Sequence, residues 1–131
     1  MTNNALFDRA KQAADLAYAP YSKFCVGAAL LCADGTVYLG ANIENAAYPA
    51  TVCAERTALF RAVLDGQRQF RAIAVAAKTA DGTFVPAPPC GVCRQALSEF
   101  SDGSLTVLFG TDESLTETTL CALLPHSFSL E

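Results

Sequence analysis

Two stretches of the chain, "TVCAERTALF" at 51–60 and "PPCGVCRQALSEF" at 88–100, each place cysteine at the opening of an amphipathic helical pattern. Cys53 opens the first helix, and Cys90 and Cys93 open the second. A helix N-terminus carries partial positive charge, which favours thiolate over thiol. A fold that brings the two helix starts together at one end of a sheet therefore gathers three thiols where their ionised forms are stabilised. Taken alone, the two-residue gap of Cys90-Gly91-Val92-Cys93 serves a shared metal ion and a dithiol redox pair equally well.

The surrounding pattern supplies such a sheet. Leu6, Ala10, Ala13, Ala14 and Ala17 recur at helical spacing until Pro20, so a helix is predicted over about 4–18. "FCVGAALLCADGTVYLGAN" then holds two apolar runs joined by Asp34-Gly35, which predicts an antiparallel pair at about 24–32 and 36–41. Ala54, Ala58, Leu59, Ala62 and Val63 share one face of a helix over about 53–65, with Gly66 just past its end. A buried strand at 70–77, a Pro-rich loop to Pro89, a helix at 91–101 and a strand in "SLTVLF" follow. "SLTET" reads as a short edge strand, and Thr118 as the cap of a last short helix before Pro125. This order implies an α/β chain folded as a three-layer α/β/α sandwich on a mixed five-stranded sheet. At 131 residues it is expected to form one domain over 1–131.

Composition narrows the function. A formal net charge of -4 and a pI near 4.9, with no run of Lys or Arg, provide no surface for a nucleic-acid backbone. The first residues scatter charges along an apolar stripe where a signal peptide needs an unbroken apolar stretch, and no segment is long enough to span a membrane. A cytoplasmic location is expected. There, six cysteines are metal ligands, catalytic groups or small buried side chains rather than disulfides.

The residue two places after Cys53 separates the readings. Three thiolate ligands leave the fourth tetrahedral position of zinc open for water, which is the arrangement of a catalytic site. Water bound there needs a base to take its proton and an acid to return it, and Glu55 faces the same cavity if Cys53 does. Zinc-dependent nucleobase deaminases carry a ligand, one residue and Glu, followed later by Pro-Cys-x-x-Cys. The chain matches both halves, as Cys53-Ala54-Glu55 and Pro89-Cys90-Gly91-Val92-Cys93.

"YAPYSKFCVGAALL", "GANIENAAYPATVCAERTALF", "PCGVCRQ" and "LLPHSF" together resemble the small zinc-dependent cytidine deaminases, over nearly the whole chain. The resemblance implies a homotetramer that converts cytidine and 2′-deoxycytidine to uridine and 2′-deoxyuridine with loss of ammonia, in pyrimidine salvage. It implies that Cys53, Cys90 and Cys93 bind one Zn²⁺ per chain and that Glu55 shuttles the proton. Phe24 would stack on the cytosine ring, Asn42 and Glu44 would hydrogen-bond the ribose 3′-hydroxyl, and Ala54 would join the substrate contacts. Arg56 would draw charge from the thiolates, replacing the effect of a neutral His ligand. Ala46, Tyr48 and Phe128 would contribute from neighbouring chains. A carboxylate at position 44 would also repel a phosphate, which favours a free nucleoside over nucleotides or polynucleotides.

Ordinary roles compete for several of these residues. Cys25, Cys32 and Cys121 are expected to be small buried hydrophobes. His126, the only histidine, lies between Pro125 and Ser127 and is expected at the surface rather than on a metal. Phe24 by position belongs to the core, Phe128 to terminal packing, and Asn42 and Glu44 to a solvated loop. A closed structural zinc module would have no use for Glu55, and a redox protein would pair Cys90 with Cys93.

Overall fold

A computed structural model describes residues 1–130. In chain order the elements are α1 (Asn3–Ala14), β1 (Cys25–Cys32), β2 (Val37–Ala41), a 3₁₀ turn (Tyr48–Ala50), α2 (Ala54–Leu64), β3 (Phe70–Lys78), β4 (Phe84–Val85), α3 (Gly91–Ser98), β5 (Thr106–Gly110), β6 (Leu115–Thr119) and α4 (Leu120–Leu123). Five strands lie side by side in the order β2-β1-β3-β5-β6, and β4 adds a two-residue extension beside β3. β3 and β5 are parallel and the other neighbours antiparallel. The sheet is the mixed one expected.

Side chains alternate between the faces of each strand, so each face collects its own core. On one face Leu6, Phe7 and Ala10 of α1 pack on Ala29, Ala72, Ala74, Ala76 and Leu108. On the other, Ala54, Ala58, Leu59 and Ala62 of α2, Leu97 of α3 and Leu120 of α4 pack on Ala28, Leu30, Cys32, Ile73 and Val107. Helices on both faces make the three layers. Small residues set how closely they approach: a Cβ at Gly27 would lie 2.1 Å from the Ala10 carbonyl oxygen, and one at Gly40 would lie 2.3 Å from the Ala58 nitrogen. The first contact seats α1 on β1, and the second seats α2 on β2.

Three departures from the sequence expectation have local causes. α1 stops at Ala14 rather than 18, because Tyr18 has left the helix to hydrogen-bond Asn42 and Glu44 through its backbone. The Pro-rich loop contains β4, reached through Ala80-Asp81-Gly82-Thr83, a repeat of the Ala33-Asp34-Gly35-Thr36 turn between β1 and β2. In both turns the Asp Oδ1 accepts from the following Thr N–H at 3.0 Å, and the Gly takes positive φ, 91° at Gly35 and 87° at Gly82. The cap of the last helix is Thr119, not Thr118; its hydroxyl accepts from Ala122 N–H at 3.3 Å. That four-residue helix buries Leu120, packs Leu123 partly on the core and leaves Cys121 exposed, correcting the expectation that Cys121 is buried. Cys32 is buried and Cys25 half-buried. Among the described residues, no helix is long and apolar enough to cross a membrane.

Because Gly27 and Gly40 each face helix backbone, which cannot move aside as a side chain can, Gly27→Ala and Gly40→Ala should each destabilise the fold by about 3 kcal/mol. Urea unfolding measures this. A loss below about 0.5 kcal/mol at either position would show that the helices are not seated as closely as described.

Candidate active site

The site forms at the end of the sheet where β3 finishes and β1 begins, with Cys25 opposite Lys78. Segment 42–44, just beyond β2, is held on both sides. Ile43 exchanges two 3.0 Å backbone hydrogen bonds with Val52, while Tyr18 donates to Asn42 O at 3.0 Å and accepts from Glu44 N–H at 2.8 Å. This small ladder delivers the chain directly to Cys53, the N-cap of α2. Cys90 is the N-cap of α3, and Cys93 lies in that helix's first turn. The two helix starts do converge.

The Sγ atoms of Cys53, Cys90 and Cys93 all lie within 4.8 Å of one another, 3.7 Å for Cys53 to Cys90 and 3.5 Å for Cys90 to Cys93. A zinc ion at ~2.3 Å from each sulfur of a tetrahedron would put its thiolates ~3.8 Å apart, so the cluster fits such an ion with little adjustment. The three thiols can hold a metal ion. Arg56 Nη2 points at Cys53 Sγ at 3.6 Å. With no cation among them the thiols cannot all ionise. A hydrogen bond from Cys93, helped by Arg56, pulls the Cys53 thiol down to about 5, while the hydrogen bond it gives to Cys53, together with burial, holds Cys93 high. A divalent cation removes this asymmetry by deprotonating every ligand.

Glu55, in the first turn of α2, is buried at 4% exposure. Burial, with a smaller contribution from the Cys53 thiolate, pushes its carboxyl up to about 7. A cation beside it would draw that value down. Arg94 anchors the cysteine loop, its Nε donating to Pro89 O at 2.7 Å and its Nη1 to Leu123 O at 2.8 Å. The tip of α3 is thereby tied to the end of α4.

A cavity of about 270 Å³ opens beside the thiols, lined by Phe24, Val26, Asn42, Thr51, Val52, Cys53, Ala54, Glu55, Val75, Ala87, Pro88 and Cys90. The structure therefore brings Phe24, Asn42 and Ala54 to the thiol cluster and Glu55. It sets Glu44 in an adjoining hollow of about 250 Å³ with Tyr21, Ser22, Asn45, Tyr48 and Thr51. Thr51 belongs to the walls of both. Asn42 is 8% exposed; its Oδ1 accepts from Val26 N–H and its Nδ2 donates to Phe24 O, both at 2.9 Å. Glu44 accepts from Tyr21 N–H at 2.9 Å and Ser22 N–H at 3.1 Å through Oε1, and from the Ser22 hydroxyl through Oε2. The Ser22 hydrogen bonds hold its carboxyl below the usual range. These bonds support Lys23 at φ 61°, a left-handed conformation that costs a non-glycine residue ~1–2 kcal/mol.

Ala46, Tyr48 and Phe128 are exposed and do not line the cavity at the thiols. His126 is exposed, has φ 54° and does not join the thiol cluster. Sequence reasoning missed the apolar wall of Val26, Val75 and Ala87, which looks like ordinary core, and the part played by Ser22. A signal for Ser22 was present in its place two residues before Phe24, where a hydroxyl can cap a turn.

An α/β/α domain that sets a Cys-x-Glu helix start against a Pro-Cys-x-x-Cys helix start, around one cavity, defines the class of zinc-dependent nucleobase deaminases. A family model described as the cytidine and deoxycytidylate deaminase zinc-binding region matches residues 1–109. A cytidine deaminase of Sporosarcina psychrophila is 54% identical over 127 residues, 96% of this chain and 90% of that protein. A second, from Halalkalibacterium halodurans, is 48% identical over 132 residues, covering 100% of this chain and 97% of its own. The crystal structure of cytidine deaminase from Burkholderia pseudomallei superposes with a TM-score of 0.90 at 46% identity, covering 98% of this chain and 100% of that one. The chain belongs to the cytidine deaminase family.

Arg56 should decide how far the thiol cluster resists acid. The Cys93 hydrogen bond, and after it Arg56, holds the Cys53 thiol below its usual range. Removing a cation that lowers it makes Cys53 reprotonate at a higher pH. Arg56→Gln should therefore retain its metal at neutral pH but release it at a higher pH than the wild type, as followed with a chromogenic chelator. An unchanged release midpoint would mean that the helix N-termini alone stabilise the thiolates.

Proposed function

We propose that the chain hydrolyses cytidine and 2′-deoxycytidine to uridine and 2′-deoxyuridine with release of ammonia, using one zinc ion per chain held by Cys53, Cys90 and Cys93. The observation that carries this reading is the buried Glu55 carboxylate in the same cavity wall as Cys53 and Cys90. Zinc, when bound, supplies Lewis-acid activation of the attacking water. Arg56, beside the Cys53 sulfur, draws charge from the thiolates so that this activation is not cancelled by three negative ligands.

The remaining steps belong to the chain's own side chains. Glu55 takes a proton from the attacking water as its oxygen bonds to C4, and passes that proton to N3. It then carries the water's second proton to the exocyclic nitrogen, the C4–N4 bond breaks, and ammonia leaves. The proton on N3 remains in the uracil ring. A carboxyl that is neither firmly acidic nor firmly basic suits a group that must accept and donate in one turnover. Phe24 stacks on the ring, Ala54 forms part of the floor, and the apolar wall excludes bulk water.

The free valences of the two polar groups suit a sugar hydroxyl. An ionised carboxylate offers about four acceptor sites and an amide two donors and two acceptor lone pairs. Glu44 has three donors on it already, and Asn42 has spent one donor and one acceptor on the backbone. One acceptor site on Glu44 remains, with one donor and one acceptor lone pair on Asn42, enough to hold a single hydroxyl, here the ribose 3′-hydroxyl. The carboxylate and the chain's net negative charge disfavour nucleotides and nucleic acids. Tyr48 and Phe128, 77% and 66% exposed, are large apolar groups that neighbouring chains of a homotetramer would cover, with Ala46 beside them. We place this salvage reaction in the cytoplasm.

Incubation of the purified protein with cytidine should give the absorbance loss of conversion to uridine, with adenosine unchanged; inert cytidine beside bound zinc would refute the reading. Glu55→Gln should fold and keep its zinc while losing at least the ~10²–10⁴-fold that general acid–base catalysis provides. Near wild-type turnover of a zinc-loaded Glu55→Gln variant would remove Glu55 from the mechanism.

A further inference from the structure

The two polar groups assigned to the sugar also grip the residue assigned to the base. Phe24 N–H donates to the Ser22 hydroxyl at 3.0 Å, and that hydroxyl in turn donates to Glu44 Oε2. On its other side Phe24 O accepts from Asn42 Nδ2. Both backbone polar groups of Phe24 are therefore satisfied by side-chain chains that lead to segment 42–44. The link through Ser22 is the adjustable one. Its hydroxyl carries a single proton, which goes to Glu44, beside the exposed, left-handed Lys23, whose own N–H donates to Ala19 O at 3.1 Å.

We propose that Ser22 is a positioning residue that couples sugar recognition to base stacking, so that a hydroxyl arriving at Glu44 tightens the placement of Phe24. The inference rests on the assignment of Glu44 and Asn42 to the sugar. A nucleoside hydroxyl donating to the one free acceptor site of Glu44 orients the carboxylate, the carboxylate fixes the Ser22 hydroxyl, and the hydroxyl's lone pair fixes the Phe24 N–H. Loss of the sugar hydroxyl then costs two things in the wild type, its own contact and the ordering of Phe24. Without the Ser22 hydroxyl it costs only the first.

Specificity constants for cytidine and 3′-deoxycytidine should be compared in wild type, Ser22→Ala, Ser22→Thr and Glu44→Gln, with melting temperatures alongside. Wild type should strongly prefer cytidine, and Ser22→Ala should reduce that preference by about tenfold, the scale of a hydrogen bond to a charged group. Ser22→Thr, which keeps the hydroxyl, should restore the preference to within about threefold. Adding Ser22→Ala to Glu44→Gln should change the preference little further, since the link is already cut. A Ser22→Ala variant that keeps the full wild-type preference overturns the coupling, whatever its melting temperature, because a purely structural role lowers both substrates alike. A wild type indifferent to the 3′-hydroxyl overturns the sugar assignment and the coupling together, so the two failures are told apart.

Discussion

Three thiols gathered within 4.8 Å, next to a buried carboxylate, form a cluster whose full ionisation the fold cannot support without a cation. The rest of the structure is arranged around that demand. Cys53 and Cys90 both occupy N-cap positions, near the positive ends of their helices, and Arg56 lies 3.6 Å from the Cys53 sulfur. The hydrogen bond that Cys93 gives to Cys53, together with burial, holds the Cys93 thiol high, and a bound metal ion would deprotonate it. Burial, and to a smaller extent the Cys53 thiolate, raises the Glu55 carboxyl beside the same cluster. The thiols that can hold a metal ion and the perturbed carboxyl thus share one electrostatic environment.

Holding such a cluster requires helices placed to within tenths of an ångström, and the sheet achieves this with small side chains. Ala72, Ala74 and Ala76 give α1 a flat seat, and Gly40 lets α2 approach β2 until backbone meets backbone. Close packing of this kind has little slack, since interiors are as dense as organic crystals. Arg94 extends the control to the second helix start by bonding the Pro89 and Leu123 carbonyls, so the cysteine loop is positioned from outside the metal site.

The polar groups near the mouth serve the fold before they serve a substrate. Asn42 and Glu44 spend most of their hydrogen-bonding capacity on residues 21–26, and what is left over is what a ligand can use. Their remaining freedom is therefore limited by the backbone they support. The same bonds link Glu44 through the Ser22 hydroxyl to the Phe24 N–H.

The layers, the order of elements along the chain and the cysteine motifs were legible in the sequence because each rests on local chemistry. Apolar periodicity names the helices and strands, and the Cys53-x-Glu55 and Cys90-x-x-Cys93 spacings depend only on the start of a helix. Even the missed β4 was written locally, in the second Ala-Asp-Gly-Thr turn. Other features belong to the tertiary structure alone. α1 ends early because Tyr18 is taken by a segment far along the chain, and Cys121 is exposed because a four-residue helix has one inward face. Glu44 lies in the hollow next to Phe24's cavity rather than in it, although alternation along the strand would point Asn42 and Glu44 the same way. Periodicity states which side a residue faces. What meets it there is decided by loops such as 21–24, whose path depends on bonds to residues some twenty positions away, and no local pattern in the sequence records those bonds.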